Sequence, residues 1–130
     1  MGAAAAAFGL HRIGQIAVTA HDLERAVRFY RDTLSMPFLF QVPNMAFFDC
    51  DGIRLMLGVP SEPSFDHPAS IIYYRVDDIG AAHATLVGRG VAFDSAPHHV
   101  AKLETFDLYL AFFRDSENNV VALLSEVPRP

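Results

Sequence analysis

A chain of 130 residues and 14.3 kDa can bury one sizeable core, or two small modules sharing one, but is too short for two independent domains of ordinary size. Its 52% hydrophobic content, with 11 Phe and no Trp, excludes a chain that is mainly disordered and predicts a core of Phe, Leu and Val. The net charge of -5, with only 10 Lys and Arg spread along the chain, excludes the clustered cationic face that nucleic acid needs, and no run reaches the roughly 18 apolar residues of a membrane span.

The opening MGAAAAAFGL has no basic segment before its apolar run and is read as a flexible extension over residues 1–10. The alternative is a short Ala helix that docks on a partner. One domain is expected over 11–127, with a first module at about 11–59, a linker at 60–70 and a second module at about 71–127.

In the first module Ile16 and Val18 alternate with Gln15, Ala17 and Thr19, the period of a strand. Asp22 then offers a carboxylate as helix N-cap, and Leu23, Ala26, Val27, Tyr30 and Leu34 follow helical spacing. FLFQV, MAFFDC and IRLMLGV read as three further strands, the last two separated by an Asp-Gly turn. The linker PSEPSFDHPAS is rich in Pro and Ser, and its His67 reads as a solvated loop residue.

The second module repeats the first at a constant offset of 56 residues between QIAVTAHDLERAVRFYRDTL and IIYYRVDDIGAAHATLVGRG. Ile72, Tyr74 and Val76 alternate with Ile71, Tyr73 and Arg75. Asp78 stands at the cap, Ile79, Ala82, His83 and Leu86 make the apolar side of a helix, and Gly88 and Gly90 end it. His83 is thereby helix filling or a helix-edge group. VAFDSAPHHV, FDLYLAFFRD and VVALLSEV supply three strands, the last two joined by the turn SENN. The fold class is therefore α+β, two βαβββ modules.

IGQIAVTAHDLERAVRFYRDTL, YYRVDDI and FFRDSENNVVALL, in that order, resemble the vicinal oxygen chelate superfamily, the glyoxalase, bleomycin-resistance and extradiol-dioxygenase fold, over about residues 11–127. The resemblance implies that each module curls its sheet into a half-barrel and that the pair encloses a cup. In metal-using members, side chains from the first and last strands of each module hold a divalent cation that acts as a Lewis acid on a substrate with two adjacent oxygens. Carried onto this chain, the opening-strand corners fall on Gln15 and Ile71. Aligning Gly52-Ile53-Arg54-Leu55 with Asn119-Val120-Val121-Ala122 puts the carboxylate corners on Leu55 and Ala122. Three of those four side chains have no donor atom, so no metal site is assigned and no cofactor is expected. The alternative is a divalent metal at a non-standard site. Ser116 and Asn118 replace the Pro and Gly that are usual in the family's closing hairpin, which a turn tolerates because Asn enters the left-handed region readily.

The parity of the strands offers Gln15, Tyr73, Arg75, Asp107 and Tyr109, with Phe47 from MAFFDC, as residues lining the cup, an apolar aromatic pocket with a few polar handles. In APHHVAKLETFD only one of His98 and His99 can face inward if the segment is extended, with His98 preferred, and Glu104 or Asp107 would complete an acid and base pair. A solvated rim loop is the plainer reading of that segment. Cys50 reads as a small buried hydrophobe.

These readings predict a protein that binds a small, aromatic or hydrophobic molecule in its cup. The alternative is a lyase, isomerase or epimerase, or dioxygenase-type enzyme using His98 or His99 with Glu104 for proton transfer, or an atypical metal site. Exposed sheet edges predict a homodimer. A single Cys fits a reducing compartment, the cytoplasm.

Overall fold

A computed structural model describes residues 8–130. The expected extension falls mostly on residues 1–7, outside the described residues. The first module runs β1 (Gln15–Thr19), α1 (Leu23–Arg28), β2 (Phe38–Val42), β3 (Met45–Cys50) and β4 (Ile53–Gly58). The second runs β5 (Ile72–Arg75), α2 (Ile79–Gly88), β6 (His98–Lys102), β7 (Phe106–Arg114) and β8 (Val120–Pro128). Each makes a four-stranded sheet, in the orders β1-β4-β3-β2 and β5-β8-β7-β6, so the repeat in the sequence is a repeat in topology.

The first and last strands of each module run parallel, because the helix crosses over between them, whereas the other pairs are antiparallel and joined by hairpins. Both helices start where the sequence places a carboxylate. The side chain of Asp22 accepts from the Arg25 amide and that of Asp78 from the Ala81 amide, each satisfying an otherwise orphaned donor of the first turn. After Arg28 the first helix widens into a π-helical turn over Phe29–Thr33, and Ser35 leaves it with a φ of 58°.

Each sheet covers its helix with one face. Val18, Phe48, Leu55 and Leu57 bury the first sheet against Ala26, Val27 and Tyr30; Ala111, Phe113, Val121 and Leu123 bury the second against Ile79 and Leu86. Phe29, Leu34 and Tyr74 pack against both clusters and weld the helix sides together. At about 25 cal/mol per Å² of apolar surface, each of these large side chains contributes on the order of 2 kcal/mol.

Tyr30 joins the modules chemically as well. It is 1% exposed, and its hydroxyl donates to Asp115 Oδ2 at 2.7 Å. Asp115 Oδ1 accepts from the amides of Glu117 and Asn119 at 2.9 and 2.8 Å, shaping the β7–β8 turn. Burial, then the charge of Asp115, holds the Tyr30 hydroxyl well above the ordinary tyrosine range.

Three sequence readings need correction. VAFDSAPHHV is not one strand: Val91–Pro97 is irregular, touching β7 only by a bridge from Phe93 to Phe113, and β6 begins after Pro97, which has no amide to give a ladder. His83 packs its ring on Phe93 there, with centroids 4.5 Å apart.

The second correction is parity. Asp107, Tyr109, Ala111 and Phe113 share one face of β7, and Ala111 and Phe113 lie in the core under α2, so all four point to the helix side. Leu108, Leu110 and Phe112 take the opposite face. Residues 108–113 are apolar throughout, so no alternation in the sequence marks which face is which.

The third is the hairpin alignment. The first turn has two left-handed residues, Asp51 and Gly52, with φ of 51° and 91°, and the second one, Asn118, with φ of 66°, so the turns alone do not align the strands. The corner matching Ala122 is Met56, not Leu55, which is 1% exposed in the first core. Register agrees: Ala17 pairs with Met56 as Tyr73 pairs with Ala122.

Candidate functional site

The faces turned away from the helices are the two that the expected cup would use. On the first, Gln15, Ala17 and Thr19 of β1 lie beside Arg54, Met56 and Gly58 of β4, with Met45 and Phe47 beyond on β3. Gln15 Oε1 accepts from Arg54 Nε at 2.8 Å, and the Gln15 amide nitrogen lies 3.7 Å from Met56 Sδ. The Arg54 guanidinium sits 5.6 Å from the centre of the Phe47 ring, which itself stacks on Phe40 at 4.6 Å and 26°.

The floor opens into a pocket of about 560 Å³ lined by Ala17, Met45, Met56, Gly58, Phe65 and His67 among others, a volume typical of small-molecule sites. Its contributors are first-module and linker residues only. A Cβ on Gly58 would come within 3.1 Å of Met56 Cε, so the bare backbone there keeps room for the thioether. The linker forms one wall and is tied down by Thr19 Oγ1, which donates to the His67 carbonyl at 3.1 Å.

On the second half Tyr73, Ala122 and Phe112 are cross-strand neighbours on one face. The rings of Tyr73 and Phe112 meet edge to face at 6.0 Å, and Ala122 beneath is 0% exposed. Arg75 pairs with Glu126 at 3.1 Å on the same face. His98 stands at the register position of Leu110, on the cup side.

His99 stands at that of Tyr109, on the helix side of the sheet. Its Nε2 lies 3.2 Å from Asp107 Oδ1, its ring meets Tyr109 edge to face at 5.3 Å, and Arg129 Nη1 donates to the same carboxylate at 2.9 Å. The hydrogen bond from His99, then the charge of Arg129, holds the Asp107 carboxyl below its ordinary range. Glu104 sits exposed in the β6–β7 connection; its carbonyl accepts from Arg129, and its carboxylate meets neither histidine. The structure thus brings Gln15 to Arg54 and Phe47, and Tyr73 to Phe112. It gathers His99, Asp107 and Tyr109 elsewhere.

Several residues that shape these faces escaped the sequence reading. Arg54 and Met56 follow from period two in IRLML once Leu55 is known to be buried, so a signal was there. The pair His21 Nε2 to Asp66 Oδ1, 2.8 Å apart at the rim beside His67, joins residues distant in the chain that no local pattern links. Glu117 closes the same rim, accepting from the His21 amide at 2.6 Å and from Arg25 Nη2 at 2.9 Å.

The profile of the Glyoxalase/Bleomycin resistance protein/Dioxygenase superfamily matches residues 12–123. The chain belongs to this superfamily. Solved glyoxalase-superfamily structures share its fold. A lactoylglutathione lyase from Agrobacterium tumefaciens is 21% identical, with 90% of this chain and 95% of that one covered at a TM-score of 0.75. A superfamily member from Sphaerobacter thermophilus is 24% identical, with coverages of 90% and 98% and a TM-score of 0.73. One from Nocardioides is 20% identical, with coverages of 93% and 87% and a TM-score of 0.73. At these identities the likeness concerns the fold. No curated protein matches the sequence.

Membership in the glyoxalase superfamily raises the question of a cation at the four corners, and the donor set there does not suit one. Gln15 supplies a neutral amide oxygen already engaged by Arg54, Met56 a soft thioether, and Ile71 and Ala122 nothing. A hard divalent ion needs carboxylate or imidazole ligands to replace its water. Among the described residues no group of three or more His, Cys, Asp and Glu is placed to hold a metal. No helix among them is long and apolar enough to cross a membrane.

Proposed function

We propose that this glyoxalase-superfamily chain binds a small aromatic or hydrophobic molecule on the cup faces, without a metal at the family's corners. The observation that carries the reading is the content of those faces: the Phe40–Phe47 stack and Met56 on one half, the Tyr73–Phe112 pair over Ala122 on the other, with Gln15, Arg54 and Arg75 as polar handles. Flat apolar walls with sparse, fixed polar groups select a planar ligand by shape and orient it by one or two hydrogen bonds.

A second copy of the chain completes the cup in this proposal. Phe40, Met45, Ile71 and Tyr73 are between 37% and 47% exposed, more apolar area than a lone half-cup has reason to present to water. The lone Cys50 favours the cytoplasm as its compartment.

Native mass spectrometry and metal analysis of protein purified without chelator test the proposal. A two-chain assembly that retains an organic molecule is expected, and stoichiometric Fe, Mn, Ni or Zn would overturn it.

One observation favours a second reading, a metal-independent lyase or isomerase: His98 lies on the cup side, where an imidazole could move a proton on a carbonyl substrate. Replacing His98 and His99 by Ala separates the two. A binder keeps its affinity, and a catalyst loses turnover.

A further inference from the structure

On the opposite side of the second sheet from the cup lies a cavity of about 350 Å³ that the cup reading leaves without a role. Leu34, Val76, Leu86, Phe113 and Leu123 give it apolar walls, and Arg89 stands among its lining residues. Leu34 and Ser35 come from the first module, the rest from the second, so anything inside touches both.

Among the described residues Arg89 is the only charged group lining it, and two hydrogen bonds place it. Its Nη1 donates to the Thr33 carbonyl and to Ser35 Oγ, both at 2.8 Å. Both acceptors are neutral, and Nε and Nη2 make no hydrogen bond among the described residues, so three N–H donors of the guanidinium remain for another acceptor. Ser35, which receives that bond, holds a left-handed φ of 58° that a non-glycine residue adopts only when its surroundings impose it. Tyr74 lines the cavity too, and its hydroxyl is buried without a hydrogen-bond partner.

We infer that this cavity is a second ligand site, for a small apolar monocarboxylate such as a medium-chain fatty acid or an arylalkanoate. The alkyl or aryl part lies along the apolar lining beside Leu34, Val76 and Ala82. The carboxylate meets the free edge of Arg89, whose planar fork suits it. Apolar walls without the cation would favour a neutral hydrocarbon. The cation without the walls would bind any anion weakly. Their combination selects a molecule with one charged end. Because such a ligand spans both modules, its binding would raise the stability of the pair by mass action.

Amide NMR of the full-length protein titrated with octanoate, and separately with 1-octanol, tests the inference. The expected result is saturable shifts at Leu34, Val76, Leu86 and Phe113. Arg89→Gln, an exposed position, should weaken octanoate by about tenfold or more while leaving octanol within about threefold. Ala82→Phe should abolish binding of both by filling the cavity. Thr85→Leu, a milder change on the same wall, should weaken both if the larger side chain prevents folding. Ala17→Phe, which obstructs the cup, should leave octanoate binding unchanged. Shifts centred on Phe47 and Tyr73, an equal loss of octanoate and octanol in Arg89→Gln, or no saturable shift would each overturn it. The cup reading stands or falls separately on the retained ligand and the metal content.

Discussion

The two closing hairpins are copies of one device put to different work. In the first module Asp49 accepts from the Gly52 amide at 2.9 Å and shapes its own turn. In the second, Asp115 shapes its turn with two backbone amides and also takes the Tyr30 hydroxyl and the Asn119 side chain, at 2.7 and 3.0 Å. The helix position that matches Tyr30 in the second module is Leu86, an apolar residue 8% exposed. The Tyr30 hydroxyl thus has no counterpart in the second helix, and the turn that holds it is a polar clasp between the modules. A repeated backbone leaves each copy free to take a different side chain, and one such choice can decide which copy carries the load.

Breaking the clasp should therefore cost far more than breaking its counterpart. Asp115→Ala leaves the Tyr30 hydroxyl and two amides without partners and is expected to destabilise by about 3 kcal/mol in urea unfolding, against about 0.5–1 kcal/mol for Asp49→Ala. Equal losses would mean that the two turns are equivalent after all. Tyr30→Phe removes one hydrogen bond to a charged group and should cost about 1.5–2 kcal/mol, while its match, Leu86→Ala, reports only packing, about 2–3 kcal/mol.

The clasp also sets an alkaline limit. Burial and Asp115 raise the Tyr30 pKa, and burial raises that of Tyr74, so folding favours both neutral phenols. That stabilisation is complete below the ordinary tyrosine pKa of about 10 and falls as pH climbs above it. Two of the four tyrosines should ionise only as the chain unfolds, seen as tyrosinate absorbance rising together with loss of secondary structure.

At the far end of the second sheet the sign reverses. The Asp107 carboxyl is depressed by His99 and Arg129, so its contribution is complete above the ordinary Asp value of about 4 and is lost as pH falls through its lowered one. Asp107→Asn should remove that acid-limb dependence and loosen the residues around Arg129, measured by amide exchange. The smallest effect is expected at Cys50 in the first module. Burial, with Asp49 and Asp51 beside it, pushes its thiol up, so alkylation at neutral pH should run several-fold slower than for free cysteine.

The sequence shows the frame of this molecule well because the frame is local. Alternation in QIAVT and MAFFDC, the carboxylates at Asp22 and Asp78, and the repeat between halves each act over a few residues. The family signatures then supplied the topology. The interior of the cup was less legible for identifiable reasons. β7 is apolar on both faces, so its parity could not be read and Asp107 and Tyr109 were placed on the wrong side. The first turn has two left-handed residues, Asp51 and Gly52, and the second only Asn118, so the turn residues alone do not fix the alignment and the sequence puts Leu55 where Met56 belongs. Tyr30 to Asp115 and His21 to Asp66 are contacts across the chain, which only the folded arrangement reveals.

Ala122 lies sealed beneath the meeting rings of Tyr73 and Phe112. A carboxylate installed at that spot alone would be driven into a greasy lid, unhydrated and unmatched, and would injure folding before it could attract any ion. Placing a coordinating group there would demand that the overlying phenol and its neighbour change first, so the small methyl fixes the order in which substitutions at this corner are tolerated.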